Sequence, residues 1–184
     1  MMKKLIVVAV LVLGAAGLPA ADSHPFQASL TPEVAIYPKT DEIRGLSLNL
    51  WGENPQQGVA IGLVNGSSGD SAGFTWALYN YAESYTGISW GLANYSRTSF
   101  VGWQGGVLFF PCVVNVSLGK FTGFQQAAVN YAEEFHGLQF GLVNYSEDLH
   151  GVQIGVVNIA RNNPWFKDFP DKLATGFPLV NWSF

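Results

Sequence analysis

His136 and His150 stand fourteen residues apart, each directly before a glycine, with Glu133, Glu134, Glu147 and Asp148 close by in the chain. Imidazole and carboxylate together are a donor set that suits zinc. The same residues also describe solvated turns whose charges keep the protein soluble. Two features favour that plainer reading: Thr86 takes the histidine's place in an earlier copy of the stretch, and in an up-and-down sheet the two turns would lie at opposite ends. The single cysteine, Cys112, lies in Phe109-Phe110-Pro111-Cys112-Val113-Val114. That apolar setting raises a thiol's pKa and argues for a buried, inert residue rather than a nucleophile. Asn-x-Ser triplets begin at Asn65, Asn94, Asn115, Asn144 and Asn181. They have the form of glycosylation acceptors, but a repeat generates them, and hydrogen bonding by an asparagine at a strand end is sufficient cause. No Gly-x-Ser-x-Gly elbow is present, and Gly66-Ser-Ser-Gly69 precedes no helical pattern, so it cradles no phosphate. The acidic pairs would serve glycoside chemistry only if two faced one cleft. The expectation is a non-enzymatic protein, with no catalytic, cofactor-binding or metal-binding residue assigned and no cofactor.

These residues sit on a repeat, and the repeat decides what can position them. Six segments run from glycine through alternating residues to asparagine: Gly58–Asn65, Gly73–Asn80, Gly87–Asn94, Gly123–Asn130, Gly137–Asn144 and Gly151–Asn158. A degenerate seventh starts at Gly102, with Phe109 at its asparagine position. The starting glycines are 15, 14, 15, 21, 14 and 14 apart, the long step carrying an insertion read as Phe110–Leu118. A larger period overlies this one: 80–96 matches 130–146 at 10 of 17 positions. Both halves then approach an aromatic-proline segment, Phe110-Pro111 before Asn115 and Phe177-Pro178 before Asn181.

Alternation with period two is a strand signal. One face would carry Ile88, Trp90, Leu92 and Asn94, the other Ser89, Gly91 and Ala93; the later equivalents are Leu138, Phe140, Leu142 and Asn144 against Gln139, Gly141 and Val143. Gly66–Asp70 and Ser146–Asp148 read as turns, Asn162–Ala174 as a long loop. Further strands are expected at Phe26–Tyr37, broken at Pro32, and at Arg44–Trp51, giving about ten strands.

The expected fold is all-β: an antiparallel meander of about ten strands, closed into a small outer-membrane β-barrel built from a duplicated strand-repeat module. A step of fourteen holds a strand and a turn, and membrane-spanning strands need about 9–11 residues. The bulky face would meet lipid, while Gln125, Gln139 and Gln153 with Gly91, Gly141 and Gly155 would fill a narrow lumen. Tyr81, Tyr95, Tyr131 and Tyr145 fit less well, because strict alternation puts them on the small-residue face rather than in an aromatic girdle. The alternative is a β-solenoid of parallel stacked copies. Bulky residues would then fill its core, the asparagines would form a ladder at a corner, and Gln139 would lie on the outer face. Fourteen residues make a tight coil, and the step of 21 would break such a stack.

Export is expected from the first residues. Lys3 and Lys4 precede an apolar run, Leu5–Leu13, and a small-residue exit through Ala21, the pattern of a secretory signal peptide. The run is too short for the ~20 residues of a spanning helix. The expected division is 1–20 signal peptide and 21–184 a single β-repeat domain. Loss of Lys3 and Lys4 leaves 7 basic against 13 acidic residues, a balance of −6 that argues against nucleic acid as a partner. Charged residues are 12% of the chain and aromatics 14%, which excludes intrinsic disorder.

The Gly-x-Gln-x-Gly-x-x-Asn units, the entry segment Ser29–Asn49 and the closing Phe177–Phe184 resemble the bacterial surface-repeat-containing protein family. The likeness spans about Phe26 to Phe184. It implies an exported protein of the outer membrane or cell surface with a structural or surface-interaction role, and it transfers no catalytic residue. Val180, Trp182 and Phe184 also resemble the C-terminal signal of bacterial outer-membrane barrels. The implied partners are membrane lipid and the outer-membrane assembly machinery; under the solenoid alternative the protein is an adhesin or binding module.

Overall fold

A computed structural model describes residues 22–106 and 111–184; the expected signal peptide, Met1–Ala20, lies outside them. The strands are β1 (Ser23–Thr31), β2 (Val34–Ala35), β3 (Glu42–Glu53), β4 (Gln57–Trp76), β5 (Tyr79–Trp90), β6 (Ala93–Gly105), β7 (Val114–Gln126), β8 (Val129–Phe140), β9 (Val143–Ala160) and β10 (Gly176–Ser183). They form one sheet in the order β10-β9-β8-β7-β6-β5-β4-β3-β1-β2. From β1 through β3 to β9 every neighbour is parallel.

The fold is therefore a β-solenoid of about eight turns, and the expected antiparallel barrel is overturned. Register supplies the physical reason. Gly87 pairs with Gly102 and Asn80 with Asn94, and Gly123 pairs with Gly137 and Asn115 with Asn130. Like stands beside like only when successive copies run in the same direction. A meander would oppose each asparagine to the far end of its neighbour and leave every buried amide to find a different partner.

The second correction concerns the faces. Strict alternation fails at a bend, Gly91–Leu92 in one coil and Gly141–Leu142 in another. Before the bend Ser89 and Gln139 point inward; after it Asn94 and Asn144 do. Asn94 is thereby separated from Ile88, Trp90 and Leu92, which turn outward. Tyr95 and Tyr145, next to inward asparagines, face out rather than sharing a side with the glutamines. Small residues occupy the bend because the amides fold over it: a Cβ on Gly141 would press on Ala127 O, Asn130 Nδ2 and Asn144 Oδ1.

The core is correspondingly unlike the apolar filling expected of a solenoid. Asn94, Ser96, Phe100 and Gln104 are the buried residues of one coil, and Asn144, Ser146, Leu149 and Gln153 those of another. Phe100, Phe121 and Phe135 stack with centroids 5.2 and 5.3 Å apart. The expected turns Gly66–Asp70 and Ser146–Asp148 lie inside β4 and β9. Each long strand thus bends around part of its coil.

The step of 21 does not break the stack. Asn115, not Phe109, aligns with Asn94, and Val114–Leu118 belong to β7. The extra residues fall in sequence between Gly105, the last of β6, and Val114, the first of β7. Both ends of the stack are closed. At the start, β2 pairs antiparallel with β1, and Gln27 brackets Tyr37 by donating to its carbonyl at 2.9 Å and accepting from its N–H at 3.1 Å. At the finish, β10 runs antiparallel to β9, and the irregular segment expected near Asn162–Ala174 folds over β10, with Leu173 N–H donating to Trp182 O.

Candidate functional site

The histidine pair is brought together rather than separated. His136 and His150 are Cα partners in β8 and β9, and their rings stack 4.5 Å apart, nearly parallel. His136 Nε2 lies 2.9 Å from Glu134 Oε1, and Lys120 Nζ is 3.0 Å from the same oxygen. Hydrogen bonding from Lys120, then from His136, holds the Glu134 carboxyl below its usual range. Asp148 aligns with Glu134 but bonds Asn162 Nδ2 at 2.6 Å. The carboxylate nearest the rings is thus committed to a cation, and among the described residues no group of three or more His, Cys, Asp or Glu could hold a metal ion. Such exposed pairs contribute about 0–1 kcal/mol each.

The asparagines of the triplets are structural. Asn80 Nδ2 donates to Asn94 Oδ1 at 2.9 Å, Asn94 to Asn115 at 2.9 Å, Asn115 to Asn130 at 3.0 Å, Asn130 to Asn144 at 2.8 Å and Asn144 to Asn158 at 2.8 Å. The glutamine column runs the other way. Gln153 Nε2 donates to Gln139 Oε1 at 2.8 Å, Gln139 to Gln125 at 2.9 Å and Gln125 to Gln104 at 3.2 Å. Backbone carbonyls fix both directions, since Asn130 Nδ2 also donates to Phe140 O and Gln153 Nε2 to Ile159 O. Gln139 is fully buried, not on an outer face. Asn181, beyond the ladder, donates to Ala174 O in the C-terminal closure.

Cys112 occupies the bend position that Ala77 and Ala127 hold elsewhere, with Asn94 Nδ2 at 3.4 Å and Asn115 Oδ1 at 3.2 Å. Burial pushes its thiol up to about 11, against smaller lowering from hydrogen bonds with Asn94 and the Val114 backbone. Tyr85 enters the stack of Phe100, Phe121 and Phe135 at its N-terminal end, 5.7 Å from Phe100. Its hydroxyl is buried with no protein partner among the described residues.

What sequence reasoning missed is the distribution of charge around the coil. From Gly45–Gly52 through the seven later copies, no charged residue stands between the starting glycine and the position of the asparagine. Each stretch between one copy and the starting glycine of the next does carry charge: Glu53, Asp70, Glu83, Arg97, Lys120, Glu133 with Glu134, and Glu147 with Asp148. Parallel stacking adds these alternations into two different outer sides. One is charged and bears Tyr81, Tyr95, Tyr131 and Tyr145. The other is apolar and bears exposed Leu63, Leu78, Leu92, Val113, Leu142 and Val156 along the bend. The small bend residues sink between that row and the row of Ile61, Trp76 and Phe140, leaving shallow apolar clefts along the solenoid. Tabulating charge by place in the repeat would have shown the segregation, though not that the copies stack in parallel.

Fold and surface together define a parallel β-solenoid with two opposed interior amide ladders and amphipathic outer sides. Comparison with family models, with curated proteins and with solved structures finds no match.

Proposed function

We propose that the chain is an exported, non-enzymatic β-solenoid serving as a rigid binding module at the bacterial cell surface, a member of the surface-repeat group it resembles. The observation that carries this reading is the commitment of its polar chemistry to structure. The asparagines and glutamines bond one another inside, Cys112 is buried in the bend, and the histidine pair with Glu134 is tied to Lys120. What such a scaffold offers a partner is a long ordered surface, creased only by the shallow apolar clefts along its bend. The leader-like Met1–Ala20 supports export.

Labelling of intact cells tests the reading. In an expressing bacterial host, a membrane-impermeant amine reagent is expected to modify exposed Lys39 and Lys120 without lysis. Modification only after lysis overturns it.

A further inference from the structure

We propose that the apolar outer side is a lipid-docking face, on which the solenoid lies lengthwise on a bilayer with its charged side toward water; this names the partner of the binding module proposed above.

Three observations carry it. The first is the charge segregation itself. Outward side chains on both sides lie away from the packed interior, so packing gives no reason for one side to lose every charge while the other keeps one or more in each coil. A difference in what the two sides face does. The second is the placement of tryptophan. Trp51, Trp76, Trp90 and Trp103 all belong to the uncharged half of their coils, and no tryptophan of the repeat lies on the charged half. Indole, large and apolar with a single N–H, concentrates where hydrocarbon meets headgroup.

The third observation separates lipid from a protein partner. The outward positions of Leu138, Phe140, Leu142 and Val143 are matched in other coils by Val59, Ile61, Leu63 and Val64, and by Val152, Ile154, Val156 and Val157. Across all coils Gln126 and Tyr79 are the only aliphatic-amide or phenol members of this set. Protein interfaces carry about one hydrogen bond per 100–200 Å² and a polar rim. This face offers almost nothing to bond, and its backbone groups are taken up by the parallel ladder. A surface this poor in donors and acceptors suits hydrocarbon, which supplies none. With about eight coils at ~4.8 Å each, the face is roughly 35 Å long.

Flotation with phosphatidylcholine vesicles tests the proposal, using the protein as recovered from its expressing host. The parent is expected to float and to shift its tryptophan emission to the blue, with little response to salt because the docking side carries no charge. The triple variant L63E/L142E/V156E alters side chains already 51%, 59% and 60% exposed and should keep its β-structure by circular dichroism. Its vesicle partition should fall at least tenfold, whereas V101E on the charged side should stay within twofold of the parent. If the triple variant misfolds, V156E alone takes its place, with a threefold or greater loss expected. A parent that stays in the dense fraction overturns the proposal, as does a face variant that floats like the parent. So does a parent dimer, by light scattering, that the face variant dissociates, since a second copy would then be the occupant. Failure to float with cell-surface labelling intact removes the lipid face alone; absence of surface labelling removes the module reading.

Discussion

Asn130 Nδ2 lies 2.8 Å from Oδ1 of Asn144, its counterpart in the next coil, while Asn130 Oδ1 accepts from Asn115 Nδ2 at 3.0 Å. Each amide in the ladder is thus donor to one neighbour and acceptor to the other. A net bond of this kind contributes about 0.5–1.5 kcal/mol, but an orphaned buried partner costs about 1–3 kcal/mol. The ladder therefore acts chiefly by penalising any other register.

Asn130→Ala should lower stability by about 2–4 kcal/mol, because it orphans a donor on Asn115 and an acceptor on Asn144. Asn130→Asp should cost more, since a buried carboxylate would face Asn144 Oδ1 and Phe140 O. Urea unfolding followed by circular dichroism measures both; an aspartate variant as stable as the parent would show that the ladder is dispensable.

The aromatic stack makes a graded prediction. Phe135→Ala removes a fully buried ring between Phe121 and Leu149 and should cost about 3–5 kcal/mol. Phe135→Leu should cost under about 1.5 kcal/mol, because the next coil already holds Leu149 at that position. Tyr85→Phe, which removes an unpartnered buried hydroxyl, should raise stability by about 1 kcal/mol.

At Gly137 the backbone has φ 133°, and a Cβ would run into the carbonyl oxygen of Gly123 in the preceding coil. Gly137→Ala is therefore expected to cost about 2 kcal/mol or more. A loss of only a few tenths of a kcal/mol by urea unfolding would mean that the coils can separate at this corner without penalty.

Cys112 gives the pH dependence. An unfolded thiol titrates near 8.5, whereas burial raises the folded one to about 11. The neutral form is favoured by the fold, so its contribution is present below pH ~8.5 and is lost as pH rises through about 11. Cys112→Ala, with the residue found at positions 77 and 127, should flatten the fall in stability over that window. In the parent, a disulfide reagent at pH 8 should react at least tenfold more slowly before unfolding than after it.

The repeat made much of this legible. Strand content and a hydrogen-bonded role for the asparagines follow from the Gly-to-Asn repeat, while the entry strands and the long final segment follow from their own residues, Pro32 in the first and Pro164 and Pro170 in the second. Direction does not: a period of two is the same for a strand running up or down, and it is the pairing of like with like in successive coils, Asn80 with Asn94 and Asn94 with Asn115 even across the step of 21, that distinguishes stacking from meandering. Facing was lost at Gly91–Leu92, where a bend reverses the alternation and carries Asn94 to the side of Ser89. With direction and facing unsettled, His136 and His150 could not be seen as a stack, nor the uncharged runs as one side of the molecule.

Strand β10 has a consequence for growth. A parallel stack is a template: its last edge would accept another coil, or another molecule, indefinitely, which is how fibrils elongate. By reversing direction against β9 and receiving Leu173 and the neighbouring segment over it, β10 turns the template off. The solenoid counts its own copies and stops, so its length is a property of the gene rather than of concentration.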